Sequence, residues 1–218
     1  MDEGRSINTF ERRIEEIREI EEIDIIREEK RQELCRMRNL ETKRLILRPW
    51  EERDAKDLYR YAKDPEVGPP AGWPPHTSEE NSLSIIKNVL SAEGAYAVVL
   101  KETGEAIGSV GLMIGQQSHV KCPDTEAEIG YWIGKPFWGQ GLIPEAVNEL
   151  IRFAFEELEL ENLWCGYYTG NEKSKRVQEK CGFVYQYTEK DVKVSLLNEF
   201  RDDNISKLTK EEWIKRMA

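Results

Sequence analysis

Glu128-Ile-Gly-Tyr-Trp-Ile-Gly-Lys-Pro-Phe-Trp-Gly-Gln-Gly141 is the stretch whose reading decides the fold. Its first half, from Glu126 to Ile133, has the composition of a strand, and a glycine-bearing turn follows. Beyond Gly141, apolar residues at Ile143, Ala146, Val147, Leu150, Phe153, Ala154 and Leu158 recur at helical spacing and predict a long amphipathic helix. Gly139 and Gly141 let backbone amides approach a ligand closely, and a helix start presents unpaired N–H groups and a positive dipole end. Together these suit a pyrophosphate. The same glycines also serve a tight strand–helix turn that binds nothing. Two nucleotide motifs fail here: a dinucleotide fingerprint needs a third glycine where Pro144 stands, and a P-loop needs Gly-Lys-Ser/Thr.

Working outward, Arg44–Pro49 reads as a strand with Leu45 and Leu47 on one face. Asp54 is placed to cap a short helix running to about Lys63, and Pro65–Pro75 is a Pro/Gly-dense loop carrying Trp73. A helix is expected over Glu79–Leu90. Strands are expected at Ala95–Leu100, Ala106–Met113, Leu163–Tyr168, Phe183–Tyr187 and within Val192–Ser206. A short helix starts behind Asn171 and stops at Gly182, a good left-handed terminator. Strands grouped before a long central helix mean an α/β or α+β fold, with one sheet and helices on its faces.

The 218 residues carry a formal net charge of −10, and charged residues make up 34%. That share exceeds the roughly 25% of an ordinary domain. The excess is local: residues 1–40 hold 21 charged side chains, and sixteen of the 23 residues from Glu11 to Glu33 are charged. Isoleucines at 14, 17, 20, 23 and 26 step by three, so their stripe wraps around a 3.6-residue helix and makes no straight seam. Residues 1–40 are therefore read as a charged helical extension, docking on its own domain, on a second copy in a homodimer, or on another partner. Residues 41–218 form the globular domain.

Several classes are excluded. No run of about 18 apolar residues marks a membrane span, and the N-terminus lacks the basic-then-apolar pattern of a secretory signal. Cys35, Cys122, Cys165 and Cys181 show no CxxC spacing, and with only His76 and His119 beside them a metal site is not expected. The acidic balance argues against a nucleic-acid partner. The expectation is a reduced, cytoplasmic protein with no metal and no membrane partner.

Four separated elements carry a resemblance. They are Thr42-Lys-Arg-Leu-Ile-Leu-Arg-Pro49, Ile129-Gly-Tyr-Trp-Ile-Gly134, Phe137-Trp-Gly-Gln-Gly-Leu142 with Glu145-Ala146, and Asn171-Glu-Lys-Ser174 leading to Glu179-Lys-Cys-Gly-Phe183. In this order they resemble the GNAT superfamily of acyl-CoA-dependent N-acyltransferases, and within it the RimJ/RimL-like branch that acetylates ribosomal-protein N-termini. The resemblance covers about 41–218. It implies a mixed, mostly antiparallel seven-stranded sheet with splayed central strands, and acetyl-CoA as co-substrate.

It also implies roles for particular residues. The strand at Glu126–Ile133 parts from Leu163–Tyr168, and the pantetheine arm adds to the exposed edge at Tyr131, Trp132 and Ile133, with Tyr131 and Ile133 bonding it through their backbones. Trp138 and the amides of Gly139, Gln140, Gly141 and Leu142 hold the pyrophosphate, and Asn171 bonds the pantetheine or a bridging water. Aminolysis of a thioester needs the ammonium deprotonated and the leaving thiolate stabilised. Glu128, beside the gap, is the expected base, though a surface strand carboxylate would look the same. Where many members have a tyrosine acid, this chain has Gln178. Ser174 is the expected replacement, with Tyr167 and Tyr168 as rivals. Trp73 and His76 border the expected acceptor cleft, or pack as core. The acceptor is a protein N-terminal amine or a small primary amine. The alternatives are an acyl-CoA-binding regulatory or adaptor module without turnover, and an antibiotic- or polyamine-acetylating enzyme on the same fold.

Overall fold

The computed structural model describes residues 13–15, 18 and 38–217. The chain divides into two compact units, Met1–Arg38 and Asn39–Ala218. Apart from residues 13–15 and 18, which are helical, the expected amphipathic helix of the first unit lies outside the described residues.

The second unit is built on one eight-stranded sheet: β1 (Leu40–Glu41), β2 (Leu45–Pro49), β3 (Ala95–Leu100), β4 (Ala106–Ile114), β5 (Glu126–Ile133), β6 (Asn162–Tyr168), β7 (Val184–Val194) and β8 (Glu199–Thr209). Their spatial order is β1-β2-β3-β4-β5-β6-β8-β7. Every pairing is antiparallel except β5 with β6. All seven expected strands form. The eighth is β1, whose two residues pair Leu40 with Leu47 and Glu41 with Ile46, too short a segment to show any periodicity.

Alternation fixes which side chains face which layer. Leu45 and Leu47 are fully buried on one face of β2. On the other face of the sheet, Trp50, Leu58, Ala62, Ile86, Ala97, Val99 and Ala106 form a cluster, with Ile46, Trp73, Leu90 and Trp132 packed against it. Leu58 and Ala62 come from helix α1 (Ala55–Ala62), which packs on helix α2 (Glu79–Ile85). The long helix α3 (Leu142–Glu156) lies across β1, β2, β4 and β5, with Ile143, Ala146, Val147, Leu150 and Ala154 all buried. Helix α4 (Glu172–Cys181) packs on α3 and β6, and helix α5 (Lys210–Met217) closes the chain.

Two local expectations are corrected. Asp54 does not cap α1 with its side chain. Its carboxylate is spent behind it, accepting two 2.7 Å bonds from the Arg48 guanidinium and one from the Glu51 amide, so it cannot also reach forward. The helix expected over 79–90 is α-helical only to Ile85, capped by the Ser78 hydroxyl, and continues through a π turn over Ile86–Leu90.

The β4–β5 ladder brings two backbones unusually close. A Cβ on Gly108 would stand 2.4 Å from the Trp132 carbonyl oxygen and 2.9 Å from Ile133 Cα, both backbone atoms that cannot move aside. Gly108→Ala is therefore expected to lower unfolding stability by about 2 kcal/mol, measured by chemical denaturation. A neutral result would mean that β4 and β5 stand further apart.

Candidate active site

The site begins where β5 and β6 part. Their parallel pairing runs Glu126–Asn162, Ala127–Leu163 and Glu128–Trp164 and then stops, although both strands continue for four or five residues. The direction of the freed groups follows from two bonds. The Gly134 amide donates to the Ile107 carbonyl, so the even-numbered residues of β5 bond β4. The Glu161 amide donates to the Thr125 carbonyl, so the odd-numbered residues face β6. Ile129, Tyr131 and Ile133 therefore present their backbones to the gap.

Buried backbone acceptors need donors, and three in the gap find them in side chains. The Cys165 thiol donates to the Ile129 carbonyl at 3.1 Å, the Trp138 indole to Ile133 at 2.9 Å, and the Gln178 amide, from α4, to Gly166 at 3.0 Å. The Ile133 carbonyl is thus already engaged. The edge that remains for a ligand is the amide and carbonyl of Tyr131, with the Ile133 amide beyond it.

At the far end of β5 the chain turns through Gly139 and Gly141, both left-handed at φ 75° and 74°. Nothing lies within 4 Å of a Cβ placed on Gly139, so the glycine meets a conformational need and leaves the loop surface open. Among the described residues no hydrogen bond takes the amides of Gly139, Gln140, Gly141 or Leu142. Pro144 sits in the first turn of α3, where a missing N–H costs nothing. The loop is braced from outside. Arg44 donates to the Gln140 carbonyl at 3.0 Å and pairs with Glu145 at 2.7 Å. Glu145 also accepts from Thr42 and the Arg44 amide, and these bonds outweigh its burial to hold its carboxyl below the ordinary range. Lys173 rests over the Trp138 ring, 3.3 Å from its centroid. Open amides on a helix start with two cations beside them fit a pyrophosphate, and an unpaired strand edge leading to it fits an extended amide-bearing arm.

Glu128 stands at the point of divergence, 8% exposed. Its Oε2 accepts from the His119 amide at 2.7 Å, with His119 Nδ1 at 3.4 Å. This contact raises the histidine pKa above its usual value. Ser174 lies on the opposite face. Its amide is capped by Asn171 Oδ1 at 3.2 Å, as expected of a helix start, and its hydroxyl lies 2.9 Å from the Tyr131 hydroxyl. Asn171 is doubly committed, for its Nδ2 donates to the Pro70 carbonyl and ties α4 to the Pro/Gly-rich loop. Arg201 holds the same loop through the Pro69 carbonyl. Trp73 and Trp132 meet edge to face with centroids 5.6 Å apart, Trp50 stacks on Trp132, and both half-buried rings rest against the core cluster on the Glu128 face. His76 bonds the Ser82 hydroxyl, and burial lowers its pKa. The structure therefore brings Tyr131, Ser174 and Asn171 together at one wall, with Glu128 at the other. It leaves Trp73 and His76 in packed surroundings.

Sequence reasoning missed Asp203. It pairs with Tyr168 across β6–β8, and its carboxylate lies over Gly166, oxygens 3.0 and 3.1 Å from where a Cβ would sit. Burial first, then the Glu128 charge, raises its carboxyl from 3.8 to about 6. Tyr168 is likewise raised, mainly by burial, with Asp203 and Glu128 adding to it. No spacing pattern could have found Asp203, since it depends on the register of β8 against β6.

Residues 44–184 match the family described as "Acetyltransferase (GNAT) domain". The chain belongs to the GNAT acetyltransferase family. It is an acetyl-CoA-dependent N-acetyltransferase. The uncharacterized N-acetyltransferase p20 of Bacillus licheniformis is 38% identical over 133 residues, 58% of this chain and 71% of that one. The ribosomal-protein-serine acetyltransferase of Escherichia coli is 29% identical over 136 residues, 60% of this chain and 72% of that one. A GNAT-family acetyltransferase from Bacillus anthracis superposes with a TM-score of 0.70 over 80% of this chain and 99% of that chain. At 20% identity that likeness shows the fold.

A carboxyl that is more basic in the folded chain than in the unfolded one costs stability once pH rises past its unfolded value. For Asp203 that cost grows between 3.8 and about 6 and persists above. Asp203→Asn is therefore expected to stabilise the acetyltransferase at neutral pH by on the order of 1 kcal/mol, allowing for partial exposure, with the advantage gone by about pH 4. Thermal unfolding across this range measures it. An advantage independent of pH would contradict the assignment.

Proposed function

We propose that this acetyltransferase transfers the acetyl group directly to a primary amine, with Glu128 as base and Ser174 assisting departure of the sulfur. The observation that carries the reading is the placement of these two residues. Successive β5 side chains alternate, so Glu128 approaches the gap from one face of the sheet, and Tyr131 with Ser174 from the other. Acetyl-CoA supplies the acetyl group as a thioester. Glu128 takes a proton from the acceptor ammonium, directly or through one water, and so exposes the nitrogen lone pair. The new C–N bond replaces the C–S bond, whose electron pair goes to sulfur, and the nitrogen sheds its second proton to solvent as the amide forms. Ser174 donates a hydrogen bond there, at the positive end of α4, which also favours an anion. The amides of Gly139, Gln140, Gly141 and Leu142 bind the pyrophosphate, and the Tyr131 backbone aligns the pantetheine.

The acceptor we favour is a protein N-terminal α-amine. Two things support it: the similarity to a relative named for acting on a ribosomal protein, and the carboxylates of Glu128 and Asp203 on the acceptor face, which suit an ammonium. Gln178 is not the donor to sulfur, since its amide is spent on the Gly166 carbonyl.

Acetyl-CoA with peptides beginning Ala, Ser or Met, and with small amines and polyamines, is expected to release free thiol fastest with a peptide. Glu128→Gln should lower kcat/KM by about 100-fold or more. Wild-type turnover would remove Glu128 from the mechanism. Acetyl-CoA binding without thiol release across the whole panel would overturn the choice of a primary-amine acceptor of these classes.

A further inference from the structure

The Tyr131 hydroxyl touches Ser174 twice, at 3.0 Å from its main-chain carbonyl oxygen and 2.9 Å from Oγ. A phenol has one proton, and a carbonyl can only accept. The Tyr131 proton therefore belongs to the Ser174 carbonyl, and the second contact requires Ser174 to donate to the Tyr131 oxygen. In this arrangement the serine proton points at tyrosine, away from any ligand in the gap. Freeing it needs one exchange: the Tyr131 O–H turns from the carbonyl to Oγ, and the Ser174 O–H then points outward. Both arrangements keep every proton on its own oxygen.

We propose that Tyr131 is a positioning residue that sets the direction of the Ser174 hydroxyl, switching it from a resting bond within the protein to a donor aimed at the leaving sulfur. The proposal rests on the role given to Ser174 above. No proton leaves the pair: the electron pair of the broken C–S bond stays on sulfur as a thiolate, which Ser174 holds and which solvent protonates later. Burial pushes the phenol well above its ordinary value, so Tyr131 keeps its proton and acts only by pointing it. The titratable groups around it are Cys165 from β6 and Cys181 from α4, also raised by burial, the latter to about 12. Both are neutral thiols, and the Cys165 thiol interacts with the Tyr131 hydroxyl. The neighbouring Gln178 is 2% exposed, with its amide nitrogen on the Gly166 carbonyl and its Oε1 without a partner among the described residues. That orphan oxygen can only accept, which leaves Ser174 as the donor on this stretch of α4.

The test uses the full-length protein with CoA itself as probe. The thiolate of bound CoA is titrated by ultraviolet absorbance, and CoA affinity is measured by calorimetry. The wild type is expected to lower the thiol pKa of bound CoA. Tyr131→Phe, which keeps the ring, should lose as much of that lowering as Ser174→Ala, and the double variant should lose no more. Turnover should show kcat reduced roughly 10- to 100-fold in each, with KM for acetyl-CoA little changed. A merely structural tyrosine would leave the bound-thiol titration where the wild type has it. If Ser174→Ala raises the thiol pKa and Tyr131→Phe does not, the proposal is overturned and the role of Ser174 stands. If neither variant moves it, the role of Ser174 falls and the proposal with it.

Discussion

The parting of β5 from β6 after the Glu128–Trp164 pair is the constraint on which the rest of the molecule depends. An open seam in the middle of a sheet leaves backbone groups without partners in a region that water does not fill freely, and each such group costs on the order of 1–3 kcal/mol if left alone. The chain answers with side chains. The Cys165 thiol, the Trp138 indole and the Gln178 amide each quench one carbonyl, and each belongs to a different element. What they leave open among the described residues, around Tyr131, is a stretch of β5 edge of the kind that an extended ligand completes as an added strand. The binding site is defined as much by which carbonyls are satisfied as by which are not.

The seam also divides labour between the two faces of the sheet. Glu128, Asp203 and His119 gather on one face, where a half-buried carboxylate raised to about 6 shows how unfavourable further negative charge has become. An arriving ammonium relieves that cost. On the other face the hydroxyls of Tyr131 and Ser174 stand near the thiols of Cys165 and Cys181, with Glu172 and Lys173 preceding Ser174 in the first turn of α4. In the mechanism proposed above, a developing thiolate on that face would meet the start of α4 and a hydroxyl donor. The sheet would then keep the base on one face and the leaving group on the other.

Much of this was legible in the residues. Seven of the eight strands, the two left-handed glycines before α3, the Asn171 cap and the Gly182 stop all follow from local rules, because each is set by neighbours within four or five positions. Glu128 and Ser174 could be named through the resemblance of the segments that carry them. What stayed hidden depends on register between distant segments. Asp203 reaches the site only because β8 lies between β6 and β7. Arg44 and Glu145, a hundred and one positions apart, meet only because β2 and α3 share a face. The Asp54 carboxylate looked like a forward cap until Arg48 claimed it, and that claim is a matter of side-chain competition that no propensity records.

Gln178 shows how a departure from a family pattern can be a relocation. A tyrosine there would place a donor one turn along α4 from Ser174, against the seam. The glutamine instead closes the Gly166 carbonyl with its amide, a bond that a flipped amide could not make, so its orientation is fixed. With that position spent on the backbone, the proposed donation to sulfur is assigned to the preceding turn, where Ser174 stands. An isolated serine hydroxyl is free to rotate and is a weak donor. Tyr131, projecting from the very strand edge that aligns the substrate, gives that hydroxyl a defined direction. On the proposed reading, alignment of the thioester and orientation of its donor both depend on one residue of β5, its backbone serving the first and its side chain the second.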